Sequence, residues 1–156
     1  MVTTRIEKAN LIDAEYIAKN LRTPDLEEIS ASSGMRPQHV IISGLKHSEE
    51  CFIGYINDIP VCIWGVVSEC LLTGRATPWL FGTGDLDKYS ITFLRECKKP
   101  VVSMLKKYDT LINYVDVRNT KAISWLKWLG FTVEEEAKPY GVQMLPFRKF
   151  YMKGGK

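Results

Sequence analysis

Long apolar runs are missing from this chain of 156 residues, since no window approaches the roughly 20 apolar residues that a membrane-spanning helix needs. The N-terminus, MVTTRIEKANLIDAEY, carries charges at Arg5, Glu7 and Lys8 and lacks the apolar segment of a signal peptide. A composition of 46% hydrophobic and 25% charged residues is typical of a globular protein. We therefore expect a single domain over residues 1–156, located in the cytoplasm and free of membrane contact.

Closely spaced metal ligands are missing as well. The four cysteines are Cys51, Cys62, Cys70 and Cys97. None of them forms the CxxC pair typical of zinc sites and redox dithiols, and the two histidines, His39 and His47, are too few and too scattered to complete a ligand set. We therefore expect reduced, structural thiols and no metal site.

Charge of one sign is not concentrated anywhere along the chain. The formal net charge is only +3, and the basic residues are scattered except in a C-terminal cluster, 148-RKFYMKGGK-156, which is typical of a solvated tail. The tract 147-FRKFYM-152 combines aromatic and basic side chains, as single-strand nucleic-acid sites do. An edge strand protected by Lys149 explains it equally well, so we predict no nucleic-acid partner.

Hydrophobic periodicity predicts a β-α-α-β-β-β-α-β-α-β-β order. The predicted strands are 4–9, 51–57, 60–69, 76–83, 110–117, 131–136 and 143–152, and the predicted helices are 11–22, 25–33, 90–108 and the stretch that follows Asn119, with a less regular helical segment at 37–48. Thr23 is expected to cap the second helix, Pro100 to bend the long one, and strand 110–117 to be buried on both faces. This alternation favours an α/β fold in which helices cover both faces of a mixed sheet.

The stretch 119-NTKAISWLKWLGF-131 reads as an amphipathic helix that Asn119 caps and Gly130 ends. Its N-x-x-A…G-F pattern, together with the order of elements, resembles the GNAT family of N-acetyltransferases. The resemblance implies an α+β fold with a mixed central sheet of about six or seven strands and helices on both faces.

A second resemblance covers most of the chain. The tracts 108-YDTLINYVDVRNTKAISWLKWLGFTVEEE-136, 78-PWLFGTGDL-86 and 145-LPFRKF-150 resemble the small internal virion protein of short-tailed bacteriophages, whose prophage relatives are often labelled GNAT-like. This resemblance implies a role in virion assembly, other phage virion or core proteins as partners, and a location in the host bacterial cytoplasm or the virion interior.

The resemblance to GNAT enzymes also implies a loop that binds the coenzyme A pyrophosphate. The corresponding segment is 82-GTGDLDKYSIT-92, where Asp85 and Asp87 stand where phosphate would approach and only Lys88 offsets them. The tyrosine that protonates the leaving thiolate in that family is replaced by Leu126, which cannot donate a proton. We therefore predict a degenerate acetyl-CoA site without bound cofactor. The alternative is an acetyl-CoA-dependent N-acetyltransferase with an atypical cofactor loop.

No residue is selected as the base that such an enzyme would need, although Glu69, Asp116 and His47 are candidates. The catalytic residues therefore stay unassigned at this stage.

The same resemblance implies a cleft where two central strands diverge. We call it the wedge, and it lies between residues Trp79–Gly82 and Asn113–Val115. The candidate ligand-holding residues are Leu80, Phe81, Gly82, Thr83 and Asn119. Backbone groups there would suit an extended ligand, either a pantetheine arm or a peptide, held with or without catalysis. The alternative is that Trp79 and Tyr114 fill the wedge as ordinary core.

Overall fold

The computed structural model describes residues 2–70 and 72–154, without the side chain of Cys70. The strands are β1 (Thr4–Lys8), β2 (Glu50–Ile56), β3 (Ile59–Cys70), β4 (Arg75–Gly82), β5 (Thr110–Asp116), β6 (Thr132–Tyr140) and β7 (Leu145–Lys153). The helices are α1 (Leu11–Lys19), α2 (Thr23–Ser32), α3 (Pro37–His47), α4 (Gly84–Lys88), α5 (Ser90–Lys107) and α6 (Thr120–Leu129).

The seven strands form one sheet in the order β1-β2-β3-β4-β5-β7-β6. Every neighbouring pair is antiparallel except β4 and β5, which are parallel. One apolar cluster packs α5 and α6 on the sheet, and a second packs α1, α2 and α3 on it. The predicted mixed sheet with helices on both faces is therefore confirmed.

The three N-terminal helices begin either with a side-chain cap or with a proline in the first turn. Asn10 caps α1, because its side-chain oxygen accepts a hydrogen bond of 2.9 Å from the backbone N–H of Asp13. Prolines occupy the first turns of α2 and α3, where no backbone N–H is needed. The prediction that Thr23 caps α2 is wrong, since the helix already includes Thr23 and Arg22 takes the cap position.

The β2–β3 hairpin turns at Asn57 and Asp58, whereas the predicted strands 51–57 and 60–69 leave residues 58 and 59 for the turn. Asn57 and Asp58 have positive φ, 49° and 66°, as a two-residue type I′ turn requires. Asparagine and aspartate tolerate this conformation better than most residues, and the twist of such a turn matches the twist of the two strands on either side of it.

Three other sequence predictions need correction. Strand β5 is not buried on both faces, since Tyr114 is 37% exposed. Strand β7 is not an edge strand: it lies between β5 and β6, and β6 forms the edge. The short helix α4 was not predicted. Pro100 does lie inside α5. None of the helices among the described residues is long and apolar enough to cross a membrane.

Candidate active site

The wedge begins where the parallel β4–β5 ladder stops. The two strands pair only at Arg75–Thr110 and Ala76–Leu111. The next residue of β4 to face β5 is Pro78, which has no N–H to continue the ladder. The Asn113 side-chain amide takes the place of the backbone and donates a hydrogen bond of 2.7 Å to the Pro78 carbonyl oxygen. The sequence of these two strands therefore forces them apart.

A cavity of about 150 Å³ occupies the wedge and continues between α5 and α6. Helix α5 contributes Phe93, Leu94 and Cys97 to its walls, and helix α6 contributes Ala122, Trp125 and Leu126. The walls are thus mostly apolar, as in sites that enclose small organic ligands. Trp79 and Tyr114 line this cavity without closing it. The sequence had left open whether these two residues fill the wedge as ordinary core.

Leu80 and Phe81, two of the predicted ligand-holding residues, point their backbone groups in opposite directions along the plane of the sheet. The antiparallel ladder with β3 turns the backbone groups of alternate residues toward β3 and toward β5. Leu80 therefore points its N–H and C=O into the wedge, whereas Phe81 points them toward β3. Phe81 lines the cavity, and its ring packs against Trp79, with 5.8 Å between ring centroids, in the apolar cluster of α1, α2 and α3.

Gly82 and Thr83 use their backbone groups within the protein. The Gly82 N–H donates to Oδ2 of Asp25 at 2.8 Å, and the Gly82 carbonyl accepts from the backbone N–H of Arg22 at 2.9 Å. The Thr83 N–H bonds the carbonyl of Val61 at 2.8 Å. The Thr83 hydroxyl is buried without a hydrogen-bond partner among the described residues, and Thr83 does not line the cavity.

Asn119, the fifth predicted residue, is buried and is among the residues that line the cavity. It is 2% exposed, and its amide donates 3.1 Å to Oδ1 of Asp25 and accepts 3.1 Å from Nη1 of Arg22. It occupies the cap position of α6, but its side chain does not cap the helix. The prediction of a side-chain cap is therefore wrong, because the buried ion pair recruits the amide instead.

That ion pair joins Arg22 and Asp25 at 2.8 Å, and both side chains are almost fully buried. Burial raises the pKa of the Asp25 carboxyl, and the adjacent Arg22 guanidinium opposes the rise. The guanidinium also lies over the Trp125 ring at 4.8 Å from its centroid. This polar cluster locks the start of α2 to the end of β4 and the start of α6.

Arg22 also reaches the predicted pyrophosphate loop. Its Nε lies 3.0 Å from Oδ1 of Asp87, and Nζ of Lys121 lies 3.7 Å from the same oxygen. The charge of Asp87 is thus offset by two cations, so it repels an incoming phosphate less than the sequence predicted. Gly84 leaves open space beside the loop, since a Cβ there would meet nothing within 4 Å.

Glu28, on α2, lines the opposite wall of the wedge. Its carboxylate accepts a hydrogen bond of 2.9 Å from the backbone N–H of Asp116 in β5. Burial raises the pKa of Glu28 to about 8, and the nearby charges of Asp25 and Asp116 add to the rise. A carboxyl group with such a pKa exchanges protons near neutral pH, as a general base must.

None of the three bases suggested by the sequence lines this cavity. Glu69 lies on the surface beside Thr77 and Arg75, and His47 bonds its own helix. Asp116 is buried and paired with Arg118 at 2.6 Å. Glu28 was missed because nothing in its local sequence separates it from Glu27; only the contact with β5 does so.

The cavity thiols are poor nucleophiles. Burial raises the pKa of Cys97 to about 12 and the pKa of Cys62 well above its usual value. Cys51, Cys62 and Cys97 are free and buried, whereas the side chain of Cys70 lies outside the described part of the structure. Among the described residues, no cluster of histidine, cysteine and acidic side chains could hold a metal ion.

Comparison with solved structures identifies the architecture. A GNAT-family acetyltransferase from Bacillus anthracis superimposes with a TM-score of 0.71 at 12% identity, over 98% of this chain and 96% of that one. The ribosomal-protein-S18-alanine N-acetyltransferase of Escherichia coli gives a TM-score of 0.69 at 14% identity, covering 99% and 96%. The chain has the GNAT fold.

Spermidine N-acetyltransferase from Vibrio cholerae, solved with CoA and spermine, matches with a TM-score of 0.68 at 11% identity, over 97% of this chain and 95% of that one. A scan against protein-family models and a search of curated proteins found no match. At identities this low, structural similarity establishes the fold and does not establish the chemistry of the site.

Proposed function

We propose that this protein is an N-acetyltransferase that takes its acetyl group from acetyl-CoA. The observation that carries the proposal is the wedge itself: an apolar cavity held open between β4 and β5, with the Glu28 carboxyl on its wall. Structural neighbours with the same fold include acetyltransferases, and one of them was solved with CoA.

The residues of the wedge suit an acetyl-CoA molecule. An extended pantetheine arm needs backbone partners along a strand and an apolar channel, and Leu80 and the cavity walls supply them. The open space at Gly84 suits the phosphate end. Gly82 and Asn119 support the site indirectly, because their polar groups hold Asp25.

The chain provides no acid beside the leaving thiolate, because Leu126 lies on the cavity wall where the family tyrosine is expected. A thiol has a pKa of about 8.5, so its thiolate is a good leaving group and can take its proton from water. Holding the amine against the thioester then supplies much of the rate. We therefore expect a slower enzyme than relatives that keep the tyrosine.

Transfer is tested by incubating the purified protein with acetyl-CoA and a mixture of primary amines, and measuring free CoA thiol and acetylated amine together. The proposal predicts that both appear in equal amounts and only when all components are present. Tight binding of acetyl-CoA without either product would contradict catalysis and leave a binding module.

The role in virion assembly stays a prediction, and it rests on the resemblance of residues 78–86, 108–136 and 145–150. It is compatible with the fold, since a GNAT-like domain presents the same surfaces whether or not it turns over substrate. Recovery of the protein from purified phage particles, at a constant ratio to capsid protein, is the result that this prediction requires.

A further inference from the structure

Helices α5 and α6 gather positive charge that is dispersed along the sequence. Together they carry seven basic residues and one acidic residue, Glu96, whereas the whole chain has a formal net charge of only +3. The rest of the chain is therefore net negative. All seven basic side chains are exposed, and the two helices pack side by side on one face of the sheet. We call this surface the basic face; its cations are Arg95, Lys98, Lys99, Lys106, Lys107, Lys121 and Lys127.

Most of these cations lack a counter-ion. Lys107 pairs with Glu50, and Nζ of Lys121 lies 3.7 Å from Oδ1 of Asp87. The other five cations form no ion pair with any residue that the structure describes. Like charges gathered on one surface repel each other, so an anionic partner would relieve this repulsion. The basic face is thus suited to an anionic partner.

Apolar side chains lie among these cations and narrow the class of partner. Trp128 on α6 is 45% exposed, and Val102 on α5 is 53% exposed. The Lys98 ammonium lies 4.5 Å from the centroid of the Trp128 ring, so this tryptophan is part of the charged surface. A half-exposed tryptophan with charged groups around it is typical of the centre of a protein–protein interface, whereas a phosphate backbone offers no apolar group to bury it. The basic face therefore favours a protein partner over a nucleic acid.

The same chain carries an anionic segment in β6. Its residues 134-EEE-136 fall within a register shift between Val133 and Ala137, so they leave the ladder with β7. Glu135 and Glu136 are exposed, and within the described part of the chain none of the three glutamates forms an ion pair. Because β6 is the edge of the sheet, these consecutive negative charges oppose direct pairing of two β6 strands. Their carboxylates remain available to cations.

We propose that the occupant of the basic face is a second copy of this chain, in a two-fold dimer in which α5 of each protomer meets residues 134–136 of the other. Helix α6 contacts both α5 and β6, so it separates the cations of α5 from the glutamates. A two-fold axis along the outer surface of α6 exchanges these two sides and places opposite charges against each other in both halves of the interface. Trp128 then packs close to the axis. This inference does not depend on the proposed acetyltransferase activity.

Sedimentation velocity of the full chain tests the association. Exposed ion pairs are individually weak, so we expect a monomer–dimer equilibrium with a Kd between about 1 and about 100 μM at low salt. Raising NaCl from about 50 mM to about 500 mM should increase this Kd about 10-fold or more, because salt screens exposed charges. A chain that stays monomeric up to about 500 μM would overturn the proposal, and so would a dimer whose Kd does not change with salt.

Charge reversal identifies the surface. Lys98→Glu with Lys99→Glu places acidic groups opposite the glutamates, and Glu135→Lys with Glu136→Lys places basic groups opposite the cations. Each double variant alone should dimerise about 10-fold more weakly or worse, because both halves of its interface then repel. An equimolar mixture of the two should restore the dimer, since opposite charges meet again in both halves. Variants that still dimerise alone, or a mixture that stays monomeric, would contradict this interface.

A matched control changes the same amount of charge elsewhere. Lys19→Glu with Lys46→Glu reverses two exposed lysines of α1 and α3, on the opposite face of the sheet. Its Kd should stay within about 3-fold of the wild-type value. Far-UV circular dichroism checks that each variant is folded. Loss of the dimer in this control would show that net charge, and not the basic face, governs association.

The centre of the interface is tested without a change of charge. Trp128→Gln removes the aromatic surface and should raise the Kd about 10-fold or more. Leu72→Gln, at a side chain that is 97% exposed and outside the basic face, should leave the Kd unchanged. Equal effects of the two substitutions would contradict a central position of Trp128.

Other polyanions are the competing occupants of the basic face. Oligo-dT of about 20 nucleotides and phosphatidylserine vesicles are titrated into the wild-type chain at low salt. We expect both to bind more weakly than a second copy does. Tight binding of either probe to a chain that remains monomeric would assign the basic face to that polyanion and overturn the dimer.

Discussion

The two ends of the β4–β5 pair are stabilised differently, one by backbone pairing and the other by side-chain hydrogen bonds. At the closed end, Ala76 and Leu111 pair through their backbones and are fully buried among apolar neighbours. At the open end, side chains replace the ladder: the Asn113 amide bonds Pro78, and the Asp25 carboxylate bonds the N–H of Gly82. The cleft is therefore not a packing defect. It is held open by polar groups that would lose their partners if the strands closed.

The β4–β5 pair is also the boundary between two halves of the sheet. Strands β1 to β4 form one antiparallel half and β5 to β7 the other, and among the described residues the two halves pair through their backbones only at the closed end. The helices and the buried polar cluster supply the remaining connection. Changes at the open end should therefore affect both stability and the site, whereas changes at the closed end should act on stability.

The largest effect is expected from Arg22→Met at the open end. The substitution leaves Asp25 buried without its counter-ion, and breaking such a pair costs about 3–5 kcal/mol of unfolding free energy. Arg5→Met, which removes exposed ion pairs to Glu7 and Asp58, should cost less than about 1 kcal/mol. Urea unfolding of both variants measures the two costs. Similar losses in the two variants would contradict a structural role for the cluster.

At the closed end, Leu111→Ala should cost about 2–5 kcal/mol, because it leaves a cavity in a fully buried position. Leu80 is only partly buried and borders the wedge, so Leu80→Ala should cost clearly less. Thermal unfolding compares the two directly. A larger loss at Leu80 would show that the wedge is packed like a core.

Asn113→Ala should have a smaller effect, about 1–3 kcal/mol, since it removes the hydrogen bond to the carbonyl of the buried Pro78 and the one that the Asn113 side-chain oxygen accepts from the Tyr114 N–H. The same experiment on Asn57→Gly, which removes hydrogen bonds to Thr3 far from the wedge and keeps the positive φ of the turn, provides the comparison for an exposed asparagine. If the wedge depends on Asn113, hydrogen exchange at Leu80 will change in the first variant and stay constant in the second.

A further effect depends on pH. Because the pKa of Glu28 rises from 4.5 to about 8 on folding, the folded protein holds the extra proton between these values, and the contribution of Glu28 to stability falls as pH increases through them. Glu28→Gln cannot ionise and keeps an acceptor for the Asp116 N–H. Its unfolding free energy relative to wild type should therefore increase between about pH 5 and about pH 9. A difference that is constant with pH would contradict the raised pKa.

The sequence predicted the fold better than the site. Strand and helix order follow from hydrophobic periodicity and from Gly130, whose φ of 107° ends α6 as expected. Helix α4 was missed because five polar-rich residues are too few to show a period. The prediction that β7 is an edge strand was wrong, because the residues of β7 do not show that β5 and β6 pair with it on both sides.

The site depends on contacts between distant parts of the chain. Arg22 and Asp87 lie 65 positions apart, and Glu28 and Asp116 lie 88 apart. No local pattern indicates that an arginine next to Thr23 neutralises an aspartate of the loop. For that reason the sequence overestimated the repulsion at Asp87 and left the base unassigned. Whether Leu80, Phe81, Gly82, Thr83 and Asn119 hold a ligand stays a prediction.

Unfolding with and without acetyl-CoA tests the central claim, that the wedge is an acetyl-CoA site. At about 100 times the dissociation constant, acetyl-CoA should raise the unfolding free energy of the wild-type protein by about 2.7 kcal/mol. Ala122→Phe, which fills the cavity wall, should unfold at the same free energy with and without the ligand. No stabilisation of the wild type at about millimolar acetyl-CoA, or equal stabilisation of Ala122→Phe, would contradict the claim.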